Sequence, residues 1–108
     1  MEDDNSLANE VIPLAFRLSQ NYPNPFRERT RITYCVAYRT RVQITVLNSA
    51  GDVIDTLVDE EKNPGTYEID FCVSGGFSAE VRTLASGKYC YRMEAEDYLS
   101  EKEMELLQ

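Results

Sequence analysis

Cys35, Cys72 and Cys90 carry the most reactive side chains in this sequence, and their spacing completes no site. No Cys-x-x-Cys pair occurs, and the sequence holds no histidine, so a structural zinc set cannot be filled. The same gap removes the commonest general base and the usual partner of a nucleophilic Ser or Cys. Carboxylates are plentiful, at 19 Asp and Glu, but they fall in turns and on outward strand positions where nothing desolvates them for proton transfer. The acidic run Asp59, Glu60, Glu61 lacks the Asp-x-Asp-x-Asp-Gly order of a calcium loop and predicts a solvated loop over residues 59–65. Gly75-Gly76 lacks the lysine and the strand-to-helix setting of a phosphate cradle. The expectation is a protein with no catalytic residue, no bound metal and no cofactor. An odd cysteine count, with residues 1–5 showing neither the basic start nor the apolar core of an export signal, predicts reduced thiols in a cytoplasmic chain.

The elements that hold these groups alternate with period two. Thr30, Ile32, Tyr34 and Val36 share one strand face, which leaves Arg29, Arg31, Thr33 and Cys35 on the other. Tyr67, Ile69 and Phe71 oppose Glu68, Asp70 and Cys72 in the same way. The spacing predicts one apolar layer made of Ile32, Tyr34, Val42, Ile44, Val46, Tyr67, Ile69, Phe71, Tyr89, Tyr91 and Met93. Asn48-Ser49-Ala50-Gly51-Asp52 supplies the positive-φ residue of a hairpin, and Glu96-Asp97 turns the chain before its last strand. Residues 74–78 read as a flexible connection. At 108 residues there is room for a single core, and about seven strands predict an all-β sandwich. All three cysteines sit opposite the apolar residues of their own strands, although free Cys is among the most buried residue types. That parity predicts cover on part of the outer face, from the chain itself or from a partner.

A net charge of -8 argues against nucleic acid, which rewards clustered Lys and Arg. No apolar run approaches the length of a membrane span. The charge is nonetheless polarised: Arg17, Arg27, Arg29, Arg31, Arg39 and Arg41 stand near the single acid Glu28, while the acids collect after Asp55. If the strand holding Arg29 and Arg31 lies beside the one holding Glu68 and Asp70, opposite charges meet across the ladder, so sheet pairing is favoured over an anion-binding site as the reading of the basic run.

The stretch Leu18-Ser19-Gln20-Asn21-Tyr22-Pro23-Asn24-Pro25-Phe26 is a stiff strap, since proline fixes φ and restricts the residue before it. The strap with Thr30, Ile32 and Tyr34, the Asn48 to Gly51 turn, Gly65-Thr66-Tyr67, and Leu84-Ala85-Ser86-Gly87-Lys88-Tyr89-Cys90-Tyr91-Arg92 together resemble the type IX secretion C-terminal sorting domain (type A). That module is immunoglobulin-like and related to the Ig-like domain of flagellar hook-capping proteins. Phe71 and Cys72 stand where the family writes Trp-Asp, and Gln108, after Glu101, Glu103 and Glu105, stands where it ends on a basic residue. The resemblance implies an Ig-like sandwich over residues 16–108 after an amino-terminal arm, residues 1–15. It implies recognition by an outer-membrane translocon if the chain is the tail of a secreted protein. Without an export context it implies an intracellular docking or stabilising subunit of a larger complex. Lineages that use the family include anoxygenic phototrophs, so an accessory subunit of a membrane-bound photosynthetic complex is one concrete form of that expectation.

Candidate partner-binding residues follow from exposure and stiffness. Leu7, Val11, Ile12 and Leu14 lie on an acidic arm too short to bury itself, so they are expected to order in a groove on a protein partner. Tyr22 and Phe26 on the strap are aromatic anchors of low entropic cost. Glu101, Glu103 and Glu105 on the last strand discourage self-pairing while leaving a backbone edge for a partner. The chain is expected to be a monomer in isolation.

Overall fold

A computed structural model describes residues 15–73 and 84–107 of the chain. Every regular element among them is a strand: β1 Arg17–Leu18, β2 Arg29–Val36, β3 Thr40–Leu47, β4 Val53–Lys62, β5 Gly65–Cys72, β6 Gly87–Ala95 and β7 Tyr98–Leu106. They form two sheets, ordered β1-β2-β5 and β4-β3-β6-β7, with every strand pair antiparallel. The all-β, two-sheet sandwich expected from the alternation is the observed architecture. Leu7, Val11, Ile12 and Leu14 of the arm, and the connection at 74–78, lie outside the described residues.

The period-two rows meet between the sheets. Ile32, Tyr34, Val42, Ile44, Val46, Phe71, Tyr89, Tyr91 and Met93 are all buried in one cluster. Each such side chain contributes roughly 1.5 to 3 kcal/mol of burial. Tyr67 and Ile69 pack against this cluster but are only half buried, because β5 is an edge strand with no neighbour on its far side among the described residues. Two short-range features fix the register of the β3–β4 hairpin. Gly51 takes φ 91, and the Asn48 side chain accepts from the amides of Ala50 and Asp52 at 3.0 and 2.9 Å. Residues 59–62 are not the loop that their charge suggested. They continue β4, because Arg39 and Arg41 offer cross-strand partners to Glu61 and Asp59 at 2.7 and 2.8 Å. The turn into β5 is left with only Asn63 and Pro64.

The strap leaves β1 and crosses from one sheet to the other; its Tyr22-Pro23 and Asn24-Pro25 peptides are cis. It first runs along β2, where Tyr22 and Arg31 exchange backbone hydrogen bonds of 2.9 Å. It then reaches β7, where Phe26 bridges Leu106 in parallel: the Phe26 amide donates to the Glu105 carbonyl at 3.0 Å, and the Leu107 amide to the Phe26 carbonyl at 2.7 Å. Phe26 is therefore not a partner-facing anchor. It is 2% exposed and meets Phe71 edge-on at 6.1 Å, a plug between the sheets. The sequence pattern could not give its direction, since alternation is lost through the proline-rich strap and the crossing itself decides which way the ring points.

Candidate functional site

Polar groups lock the strap before it reaches the surface site. Asn21 is buried, and its side-chain amide donates to the Thr30 hydroxyl at 2.9 Å and to the Pro23 carbonyl at 3.2 Å. The Thr30 hydroxyl, also buried, donates to the same carbonyl at 2.8 Å. Below them the Tyr91 hydroxyl donates to the Ser19 carbonyl at 2.6 Å, and burial pushes its pKa up to about 12, a backbone hydrogen bond from Asn21 opposing the shift. With Asn21, Thr30 and Tyr91 fixing its inner side, the strap holds Tyr22 outward at 80% exposure.

Tyr22 stands beside a groove of about 410 Å³ on the outer face of the β1-β2-β5 sheet, lined by Gln20, Tyr22, Pro23, Arg29, Thr30, Arg31, Thr33, Glu68 and Asp70. Cross-strand register places Arg31 opposite Asp70, the meeting of charges expected if β2 lies beside β5. Arg31 Nε donates to Asp70 Oδ1 at 3.0 Å, and its Nη1 lies 3.4 Å from Glu68 Oε1. The hydrogen bond to Asp70, then the charges of Asp70 and Glu68, raise the Arg31 pKa. Arg29 has no ion-pair partner among the described residues. An exposed aromatic, a guanidinium without an ion-pair partner among the described residues, and an Arg-carboxylate trio with one net negative charge make a surface that can hold a ligand by stacking and hydrogen bonding.

The other expected residues divide. Glu101 is exposed and accepts from Arg92 on β6 at 2.6 to 2.8 Å; Glu103 is exposed and lies 3.8 Å from Lys88. Glu105 is half buried, and its backbone is already used. Its amide donates to Asn24 Oδ1 at 3.0 Å and its carbonyl accepts from Phe26, while the Glu103 carbonyl accepts from Gln20 Nε2 at 2.7 Å. The last strand thus does not offer its 103–107 edge to a partner, because the strap occupies it. Cys35, Cys72 and Cys90 are free thiols, each partly covered. Burial first, then Glu101 and Glu103, push the Cys90 thiol up, with Arg92 opposing. Sequence reasoning missed Gln20, Asn21 and Asn24 as the residues that seat the strap. Three amides flanking two prolines are the signal that could have marked them.

No family model matches the chain. No curated protein matches it either. Among solved structures, the fold is similar to part of Pseudomonas fluorescens alkylpurine DNA glycosylase AlkC bound to DNA containing an abasic site analog. The TM-score is 0.50 at 13% identity, over 86% of this chain and 30% of that protein. The chain spans under a third of the protein it resembles, and the likeness concerns the fold alone. Among the described residues no helix is long and apolar enough to cross a membrane, and no group of three or more His, Cys, Asp or Glu could hold a metal ion.

Proposed function

We propose that this chain is a non-catalytic protein-binding module, a docking or stabilising subunit of a larger complex, membrane-bound photosynthetic assemblies included. The observation that carries this reading is Tyr22, an aromatic side chain 80% exposed on a strap whose inner residues are hydrogen-bonded and buried. An exposed Tyr on a hydrogen-bonded strap, next to an Arg without an ion-pair partner among the described residues, is the composition of an interface anchor, since little backbone entropy is lost when it is covered. A net charge of -8 supports a protein partner over nucleic acid. Sorting by a translocon remains the second reading, favoured by the resemblance of the strap and the Ser86-Gly87 strand. Cell fractionation separates the two, an internal complex for the first and a cell-surface location for the second.

The test is a Tyr22→Ala/Arg29→Ala double variant expressed in the source cell from its own locus. Recovery of the native complex should fall at least roughly tenfold, the scale of a lost interface anchor, with an unchanged thermal midpoint. Full recovery with the double variant overturns the proposal for this face.

A further inference from the structure

The sandwich has three long strand edges, and only one is both straight and open among the described residues. The β7 edge is occupied by the strap over residues 103–107. The β4 edge is broken by two register shifts, opposite Ile44/Thr45 and Val46/Leu47, and carries Asp55, Asp59, Glu60 and Glu61; bulges and charge are how edges are blunted. β5 differs. It pairs with β2 through eight consecutive residues without a shift, contains no proline, and has no strand on its far side among the described residues.

Which backbone groups face outward follows from β2. Arg31 exchanges hydrogen bonds with Tyr22, and the Thr33 carbonyl accepts from Ser19, so both residues direct their backbone toward the strap side. In an antiparallel ladder the residues opposite them then turn their own N–H and C=O away from β2. Those residues are Asp70 and Glu68, and the same alternation adds Thr66, opposite Cys35.

Side chains give the edge its chemistry. Glu68 and Asp70 lie on the outer face, where Arg31 is shared between the two carboxylates, leaving one net negative charge in the trio. On the inner face Tyr67 and Ile69 are half covered, as are Ile54 and Leu57 of β4, which the Asn63-Pro64 turn joins directly to β5. The closed side of the sandwich buries its comparable residues, Leu18, Phe26, Met104 and Leu106, almost completely.

We infer that β5 accepts an added strand, supplied by a partner segment that alternates Lys or Arg with aliphatic residues. The cations face Glu68 and Asp70, the aliphatic row covers Ile69 and its half-buried neighbours, and the backbone pairs with Thr66, Glu68 and Asp70. This inference rests on the binding-module reading and names the partner chemistry and the edge.

The experiment uses the full chain, isotope-labelled, titrated with a synthetic peptide of alternating lysine and valine. Expected are amide shift changes and slowed hydrogen exchange at Thr66, Glu68 and Asp70, with hydrogen exchange over 53–62 not slowed and 103–107 unchanged. Changes confined to other residues, or none at millimolar peptide, overturn the inference. Glu68→Pro removes an outward donor that β2 does not use and should weaken binding by roughly tenfold. A Glu68→Lys/Asp70→Lys variant keeps every backbone group and should exchange its preference for an alternating glutamate and valine peptide; unchanged preference also counts against the edge. If the peptide does not bind while Tyr22→Ala/Arg29→Ala still disrupts the native complex, the edge is wrong and the binding module stands. If the peptide binds at β5 while that double variant changes nothing, the Tyr22 face is wrong and the edge stands.

Discussion

The two long sides of this sandwich are finished in opposite ways. On one, the strap runs from β2 to β7, supplies backbone partners to both sheets, and seals the seam with Phe26. On the other, β4 and β5 are joined by a two-residue turn, and Ile54, Leu57, Tyr67 and Ile69 stay half exposed. A small sandwich can protect its edges by covering them, by bulging them, or by leaving one for a partner. This molecule covers β7, bulges β4 and leaves β5 straight. The difference separates covered residues from half-exposed ones: the strap side holds residues whose loss should unfold the domain, and the β4–β5 side holds half-exposed residues whose loss the domain should tolerate.

Phe26→Ala is the largest blow to that division. It empties the plug and should cost about 3 to 5 kcal/mol in denaturant unfolding, comparable to a whole marginal domain, whereas Tyr22→Ala, only four positions earlier, should stay within about 0.5 kcal/mol. Similar losses from both would erase the distinction between the inner and outer faces of the strap. Asn21→Ala comes next. It leaves Thr30 without a donor and strips one of two donors from the Pro23 carbonyl, so a loss of about 1 to 3 kcal/mol is expected in the same assay. Tyr91→Phe is the mildest, at about 0.5 to 1.5 kcal/mol near neutral pH for the lost bond to Ser19. It also has a pH signature. The Tyr91 hydroxyl holds its proton more tightly when folded, up to about 12 against an unfolded value of 10.0, so its stabilisation is complete below pH 10 and is lost as pH rises from 10 toward 12. The unfolding midpoint of Tyr91→Phe should therefore fall less steeply across that window than that of the parent, and equal slopes would place the tyrosine elsewhere in the titration.

How far the sequence foretold this depended on whether a residue belonged to a periodic run. Within strands, parity was enough: Ile44 and Met93 went inward and Cys35 and Cys90 outward, while Arg31 met Asp70 only because β2 and β5 are neighbours. Phe26 and the free edge of β7 were misjudged together. Both depend on where the strap crosses between sheets, a tertiary fact that neither proline stiffness nor alternation encodes. The charged residues 59–62 were misread for another reason. Charge marked them as loop, while the arginines that keep them in a strand, Arg39 and Arg41, lie some twenty residues earlier and count only once β3 and β4 pair.

The strap also decides how the domain meets mechanical load. Phe26 runs parallel to Leu106, and its contacts to β7 sit near one end of the described chain as well as the other. A pull between Ala15 and Leu107 first loads the pairing of β1, Ser19 and Tyr22 with β2; once that parts it slides the strap along β7, so the bonds from Phe26 to Glu105, from Leu107 to Phe26 and from Glu105 to Asn24 are strained together rather than opened one rung at a time. The antiparallel hairpin of β6 and β7 has the contrary geometry and would peel rung by rung if pulled at its open end. Pulled at Ala15 and Leu107, the domain would resist tension through a shear clamp a few hydrogen bonds wide.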